Sequence, residues 1–321
     1  MSDGRAHPSK PSDLRVVFMG TPDFAVPCLE TLLGLGCQVV GVVSQPDRRK
    51  GRGRKVVRTP VAACADAHGV PVHQWPRLRN ISYETLKGLA PDLMVVTAYG
   101  KILPQRYLDL PRFGCINVHA SLLPKLRGAA PIQWSVVRGH RRTGVAIMQM
   151  DAGMDTGDVA LMLEADIGPD ETAGELHDRL SVLGGQALRQ AIERLCAGTL
   201  VFAAQDHDGA TLAPMLKKSD GVLDWSAPAR AVHDRVRGLS PWPGAYVPRD
   251  EGPLKIHRTR VVEGEGVPGT VIAHDPDGPR VACGEGAVVL LRVQRPGRKA
   301  VSGADLLNGS PLPVGSRLAT D

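Results

Sequence analysis

Leu14-Arg15-Val16-Val17-Phe18-Met19-Gly20-Thr21-Pro22-Asp23 is the stretch from which the fold can be read. Leu14–Met19 is a short apolar run closed by Gly20-Thr21-Pro22, the pattern of a buried strand. Phe24, Leu29, Leu32 and Leu33 then recur at roughly helical spacing until Gly34 or Gly36 ends the helix. Gln38–Ser44 (QVVGVVS) predicts a second buried strand. Asp92–Ala98 and Cys115–His119 predict two more, each behind a segment of helical character. Strands alternating with helices predict a doubly wound, mostly parallel α/β sheet covered on both faces. Thr143–Met150 and Asp158–Asp166 are expected as strands at its edge. Thr172-x-x-Glu175 has capping-box spacing and predicts a helix running to Gly198.

Farther out the texture changes. Residues 203–221, AAQDHDGATLAPMLKKSDG, read as a linker. Beyond it Lys255–Val262, Gly269–Ala273, Arg280–Cys283 and Ala287–Val293 are short β-rich runs separated by Gly, Pro and Asp. That spacing predicts a small barrel or sandwich. The 321 residues suit two domains, and 43% hydrophobic with 22% charged residues excludes a disordered or fibrous chain. The expected division is a flexible tail over 1–13, a first domain over 14–203, a linker over 204–216 and a second domain over 217–321. The tail has no apolar signal core, and six widely spaced cysteines suit free thiols, so a cytoplasmic protein is expected.

Several chemistries are excluded by pattern. Gly20-Thr21-Pro22-Asp23 lacks the Gly-x-Gly-x-x-Gly fingerprint, and Pro22 removes an N–H that a phosphate would need. The ten histidines include no pair at a zinc-site spacing, so no metal is expected. Gly114–Gly128, GCINVHASLLPKLRG, is the informative segment. Asn117 and His119 lie two apart at the end of a predicted strand and so share a face. In such sheets the carboxyl ends of the strands open into the ligand crevice. Ser121-Leu122-Leu123-Pro124 follows as a loop suited to lying against a flat ligand. Met154-Asp155-Thr156-Gly157-Asp158 adds carboxylates. Read locally, the same residues serve equally as a turn asparagine, a satisfied buried histidine and a cap. Asp158 suits capping or strand entry as well as catalysis. Cys115 is assigned to the face opposite Asn117, and Ser121 has no adjacent base, so no covalent nucleophile is expected.

Asn117-x-His119, Ser121-Leu122-Leu123-Pro124 and Asp155-Thr156-Gly157, in that order, resemble the folate-dependent formyltransferase superfamily. The resemblance runs from Val16 to about Leu307. It takes in Gly20-Thr21-Pro22-Asp23-Phe24, Gln45-Pro46-Asp47-Arg48, Gly51-Arg52-Gly53, Ala98-Tyr99-Gly100, Arg127-Gly128-Ala129-Ala130-Pro131-Ile132-Gln133 and Pro241-Trp242-Pro243. It implies a Rossmann-like catalytic domain and a C-terminal OB-like β-barrel. It also implies formyl transfer from 10-formyltetrahydrofolate to the α-amino group of methionine on initiator tRNA. Asn117 would stabilise the oxyanion, His119 would move the proton and Asp155 would orient His119, with Ser121, Leu122, Leu123 and Pro124 against the folate.

Charge points the same way. Seven basic residues and no acid lie between Arg48 and Arg58; without them residues 1–211 carry 17 Lys+Arg against 21 Asp+Glu. A strand-to-helix loop of about fifteen residues is long enough to be functional. The resemblance makes Arg48, Arg52, Arg54 and Lys55 a flexible tRNA-binding loop, with Arg49-Lys50 where the family suggests Pro-Ala. Lys218, Arg298 and Lys299 in the C-terminal part would meet backbone phosphates. Aromatic residues number only 12, so stacked base recognition is not expected. The protein is expected to act as a monomer. A folate enzyme with a small acceptor (glycinamide ribonucleotide or an amino sugar) and an RNA-binding protein with an inactive α/β domain are the competing readings.

Overall fold

The computed structural model describes residues 8–50, 55–309 and 312–318. Its described residues fall into two compact units that are not sequential. One takes in Met1–Gly128, Gly144–Ala165 and His177–Leu212; the other takes in Ala129–Thr143, Asp166–Leu176 and Ala213–Asp321.

In the first unit, β1 (Arg15–Gly20), β2 (Gln38–Val43), β3 (Arg48–Lys50), β4 (Lys55–Val57), β5 (Val72–His73), β6 (Leu93–Thr97) and β7 (Cys115–His119) alternate with helices. The helices are α1 (Val26–Gly34), α2 (Pro60–Ala67), α3 (Asn80–Gly88) and α4 (Gln105–Leu108). Strands β8 (Arg142–Gln149) and β9 (Val159–Asp166) complete a seven-stranded sheet of order β5-β2-β1-β6-β7-β8-β9. The first five strands are parallel, and β8 runs antiparallel to β7. The core strands are continuous apolar runs because helices cover both faces. The strand order reverses direction between β1 and β6, which opens a crevice at their carboxyl ends. Residues 8–13 are not a loose tail. Pro11–Asp13 forms a 3₁₀ turn, and Gln38 Nε2 donates to the Ser12 carbonyl at 2.8 Å.

Helix α5 (Pro131–Val137) precedes β8, and α6 (Ala173–Cys196) follows β9. The capping box is formed: the Glu175 N–H donates to Thr172 Oγ1 at 3.2 Å, and the Thr172 N–H donates to Glu175 Oε2 at 2.8 Å. That backbone bond, first among several, holds the Glu175 carboxyl below its ordinary range. Thr172→Ala is expected to cost about 1 kcal/mol, read as a shift of the denaturant midpoint at unchanged m-value.

The second unit holds α7 (Ala229–Gly238), β10 (Ala245–Val247), β11 (Leu254–Val262), β12 (Val271–Asp275), β13 (Gly278–Ala282), β14 (Ala287–Gln294), β15 (Val301–Ser302) and α8 (Gly303–Gly309). Its strands form one all-antiparallel sheet of order β10-β11-β14-β13-β12, with β15 on β14. Trp225, Val236, Ile256, Val281, Leu290 and Val293 lie in its core. No helix among the described residues is long and apolar enough to cross a membrane.

Candidate functional site

Asn117 and His119 stand at the carboxyl end of β7, Asn117 half-buried and His119 5% exposed. Register places Asn117 opposite Val96 and Met148, and His119 opposite Ala146. Asp155 comes to them from the loop before β9. Its Oδ1 accepts from Asn117 Nδ2 at 3.4 Å, and its Oδ2 lies 3.7 Å from His119 Nδ1. The Gly128 N–H donates to Asp155 Oδ2 at 2.8 Å. His119 Nε2 sits 3.1 Å from the Leu126 carbonyl oxygen, which only accepts, so Nε2 carries a proton. Nδ1, beside the carboxylate, is therefore the nitrogen free to take and release one.

The Asp155 loop is tightly built. Asp155 has φ +54°, and Thr156 Oγ1 donates to Asp151. A Cβ on Gly157 would overlap the Gln149 carbonyl oxygen, so only glycine fits that close approach.

The apolar loop behaves differently from its expected role. Ser121 is fully buried, and its hydroxyl donates to the Lys125 carbonyl at 2.6 Å, closing a turn. Leu123 is 4% exposed and packs with Ala146 and Met148. Leu122 and Pro124 are half-buried and retain open surface. Asp158 is exposed, and its backbone carbonyl accepts from the Gln149 N–H. Cys115 corrects the facing argument. Two residues before Asn117, it shares that residue's face. Its thiol points to the Tyr107 and Leu108 carbonyls, and burial pushes it up to about 12, so it is no nucleophile.

Three contributors were not legible as site residues. Gln205 lies in the stretch read as linker, yet it is 8% exposed and donates to the Asp155 and Gly157 carbonyls. Arg127, 7% exposed, donates to Gln205 Oε1. Gly128 offers only its backbone N–H. No local pattern separates these from loop residues.

The basic segment is a two-stranded ribbon rather than an unpaired loop, with Arg48 opposite Val57 and Lys50 opposite Lys55. The β-branched Val56-Val57 pair favours extended chain, which gives β4 a strand to offer. Arg48 and Lys55 are exposed; Arg52 and Arg54 lie outside the described residues. Arg58 is not a free cation. It forms a fork with Asp66 at 2.8 and 2.9 Å, donates to Gln74 at 2.7 Å and lies 3.4 Å from Asp47. Lys101, which the sequence reading passed over, donates to the Trp75 and Pro76 carbonyls; burial, then the charge of Arg48, lowers its pKa.

Asp47 ties the ribbon's base. Burial raises its pKa, but hydrogen bonds from Gln74, the Thr59 N–H and Arg58 outweigh that and hold it below the ordinary range. A depressed carboxyl stabilises above its unfolded value of about 3.9 and loses that stabilisation as pH falls through the lower folded value. The Thr59 amide signal is therefore expected to stay constant from neutrality to about pH 4 and to shift only below it. A shift centred near pH 6 would contradict this arrangement.

In the second unit Lys218, Arg298 and Lys299 are all exposed, the last two in the turn between β14 and β15.

Residues 14–192 match the family model described as formyl transferase, and residues 215–311 match the formyl transferase C-terminal domain. The chain is 48% identical to the methionyl-tRNA formyltransferase of Citrifermentans bemidjiense, over 95% of this chain and 96% of that protein. It belongs to the methionyl-tRNA formyltransferase family. Against the enzyme of that name from Ectopseudomonas mendocina, the identity is 49% over 93% of this chain and 95% of that one. Among solved structures, the sugar 3N-formyltransferase WlaRD, crystallised with dTDP and 5-N-formyl-THF, aligns with a TM-score of 0.66. It covers 89% of this chain and 99% of its own at 14% identity, which speaks for the fold alone. The methionyl-tRNA formyltransferases thus share with this chain both halves of its sequence.

Proposed function

We propose that the protein transfers the formyl group of 10-formyltetrahydrofolate to the α-amino group of methionine on initiator tRNA. The product would be the formylmethionyl-tRNA used in translation initiation. The observation that carries this reading is the meeting of Asn117, His119 and Asp155 at one point, in a chain of this family.

The donor set fits acyl transfer to an amine. Bound 10-formyltetrahydrofolate supplies the carbonyl carbon that the amine attacks. Asn117 Nδ2 spends one N–H on Asp155 and has a second for the oxygen that gains charge. His119 Nδ1 takes the proton from the attacking nitrogen and returns it to the departing one. Asp155 stabilises the imidazolium between those steps. Leu122 and Pro124 offer the open apolar surface for the folate, while Ser121 and Leu123 support it from beneath. Arg48, Arg52, Arg54 and Lys55 would meet the acceptor end of the tRNA, and Lys218, Arg298 and Lys299 its backbone phosphates. In this reading the catalytic and RNA-contacting parts are the first and second units. The enzyme works as a cytoplasmic monomer and needs no metal.

A small-amine acceptor is disfavoured by a specific contrast. The tRNA enzymes are 47–49% identical over nearly the whole chain, whereas the sugar formyltransferases are 14–16% identical. The test is to incubate the protein with 10-formyltetrahydrofolate and either charged initiator tRNA or small amines. Formyl transfer to the tRNA, undiminished by EDTA, is expected. Transfer to a small amine alone would favour that competing enzyme. No transfer at all would favour the RNA-binding reading, and loss with EDTA would overturn the metal-free step.

A further inference from the structure

Asp155 holds a left-handed backbone, φ +54°, which a side chain other than glycine adopts only when its surroundings enforce it. Gln205 provides that enforcement. Its Nε2 donates to the Asp155 carbonyl at 2.9 Å and to the Gly157 carbonyl at 2.6 Å, bracketing Thr156 between two fixed peptides. Its Oε1 accepts from Arg127 Nε at 3.1 Å and from a terminal Arg127 nitrogen at 2.7 Å. A guanidinium only donates and a carbonyl only accepts, so the amide can face in one direction alone.

Arg127 adds a second observation. Its guanidinium is buried, and its side-chain partners are neutral: Gln205, and His207 Nδ1 at 3.1 Å. Among the described residues no carboxylate pairs with it. Burying an unpaired cation is costly unless its field is used. Here that field polarises the Gln205 amide and strengthens its two N–H bonds to the loop.

We propose that Gln205, oriented by Arg127, is the positioning residue that aims the Asp155 carboxylate at His119. The kinetic consequence rests on the formyl-transfer reading above; the structural one does not. A carboxylate displaced by even about 1 Å can cost up to 10²-fold in rate, because the proton-carrying imidazole loses its partner at the moment charge develops.

Two variants test this. Gln205→Asn is one methylene too short to reach Arg127 and both carbonyls together. Gln205→Glu keeps the Arg127 pairing but turns an oxygen toward the carbonyls. Each is expected to lower kcat at least about tenfold, with KM for tRNA and for folate within about twofold of wild type. In the substrate-free protein, the Gly128 amide proton, bonded to Asp155 Oδ2, should move upfield as it does in Asp155→Asn. Folded variants with unchanged kcat and an unmoved Gly128 amide would overturn the proposal. So would a raised KM at constant kcat, or failure of both variants to fold, which would make Gln205 purely structural. If wild-type protein shows no formyl transfer, the proposed function fails. The Gly128 amide still decides this inference.

Discussion

Asn117→Ala and His119→Ala each lower kcat by at least about two orders of magnitude while the protein stays folded. Removing one donor aimed at a developing oxyanion costs about 10²–10³, roughly 3–4 kcal/mol. Asn117 is half-buried, and its amide bonds to the site carboxylate rather than to any backbone group, so its loss leaves the sheet ladder intact. His119 is more deeply set, and its Nε2 supports the Leu126 carbonyl. The His119→Ala protein is therefore best compared with His119→Gln, whose amide can reach the same carbonyl but cannot carry a proton. Asp155→Asn belongs in the same series and should be similarly damaging. Far-ultraviolet circular dichroism checks the fold, and steady-state kinetics with charged initiator tRNA checks the effect. Near-normal turnover in folded Asn117→Ala and His119→Ala would dismiss the assignment.

Neutralising the basic ribbon raises KM for tRNA by at least about tenfold and flattens its salt dependence, with folate binding unchanged. Each phosphate contact contributes about 0.7–0.9 to the slope of log affinity against log salt. Arg58 is engaged by Asp66, Asp47 and Gln74, so it is left in place. The remaining six cations are replaced by glutamine, and the slope is expected to fall by about two to three. Arg52→Ala alone should remove about one contact. Arg58→Ala should act differently, loosening the ribbon's base without removing a phosphate contact from the slope. If the six-fold variant leaves tRNA kinetics and salt slope untouched, the electrostatic contribution must come from Lys218, Arg298, Lys299 and their neighbours.

Periodicity and capping were local signals, and they were sufficient where burial is decided locally. The apolar runs at Leu14, Gln38, Asp92 and Cys115 became β1, β2, β6 and β7 because a strand covered on both faces needs apolar side chains throughout. Thr172 and Glu175 cap α6 because both partners lie within one turn. Two-residue spacing also placed Asn117 and His119 together. The same rule, misapplied to Cys115, put that thiol on the wrong face. Tertiary structure alone decided the rest. Asp155 reaches Asn117 across 38 residues, and Gln205 reaches Asp155 across 50, through loops whose paths have no periodicity to read. Residues 129–143 and 166–176 join the C-terminal unit although they precede its main body in the chain. Arg58 looked like one more solvated charge until the fold brought Asp66, Asp47 and Gln74 around it. An apolar side chain announces its burial by its neighbours in sequence. A polar one finds its hydrogen-bond partner only after distant loops have folded against each other.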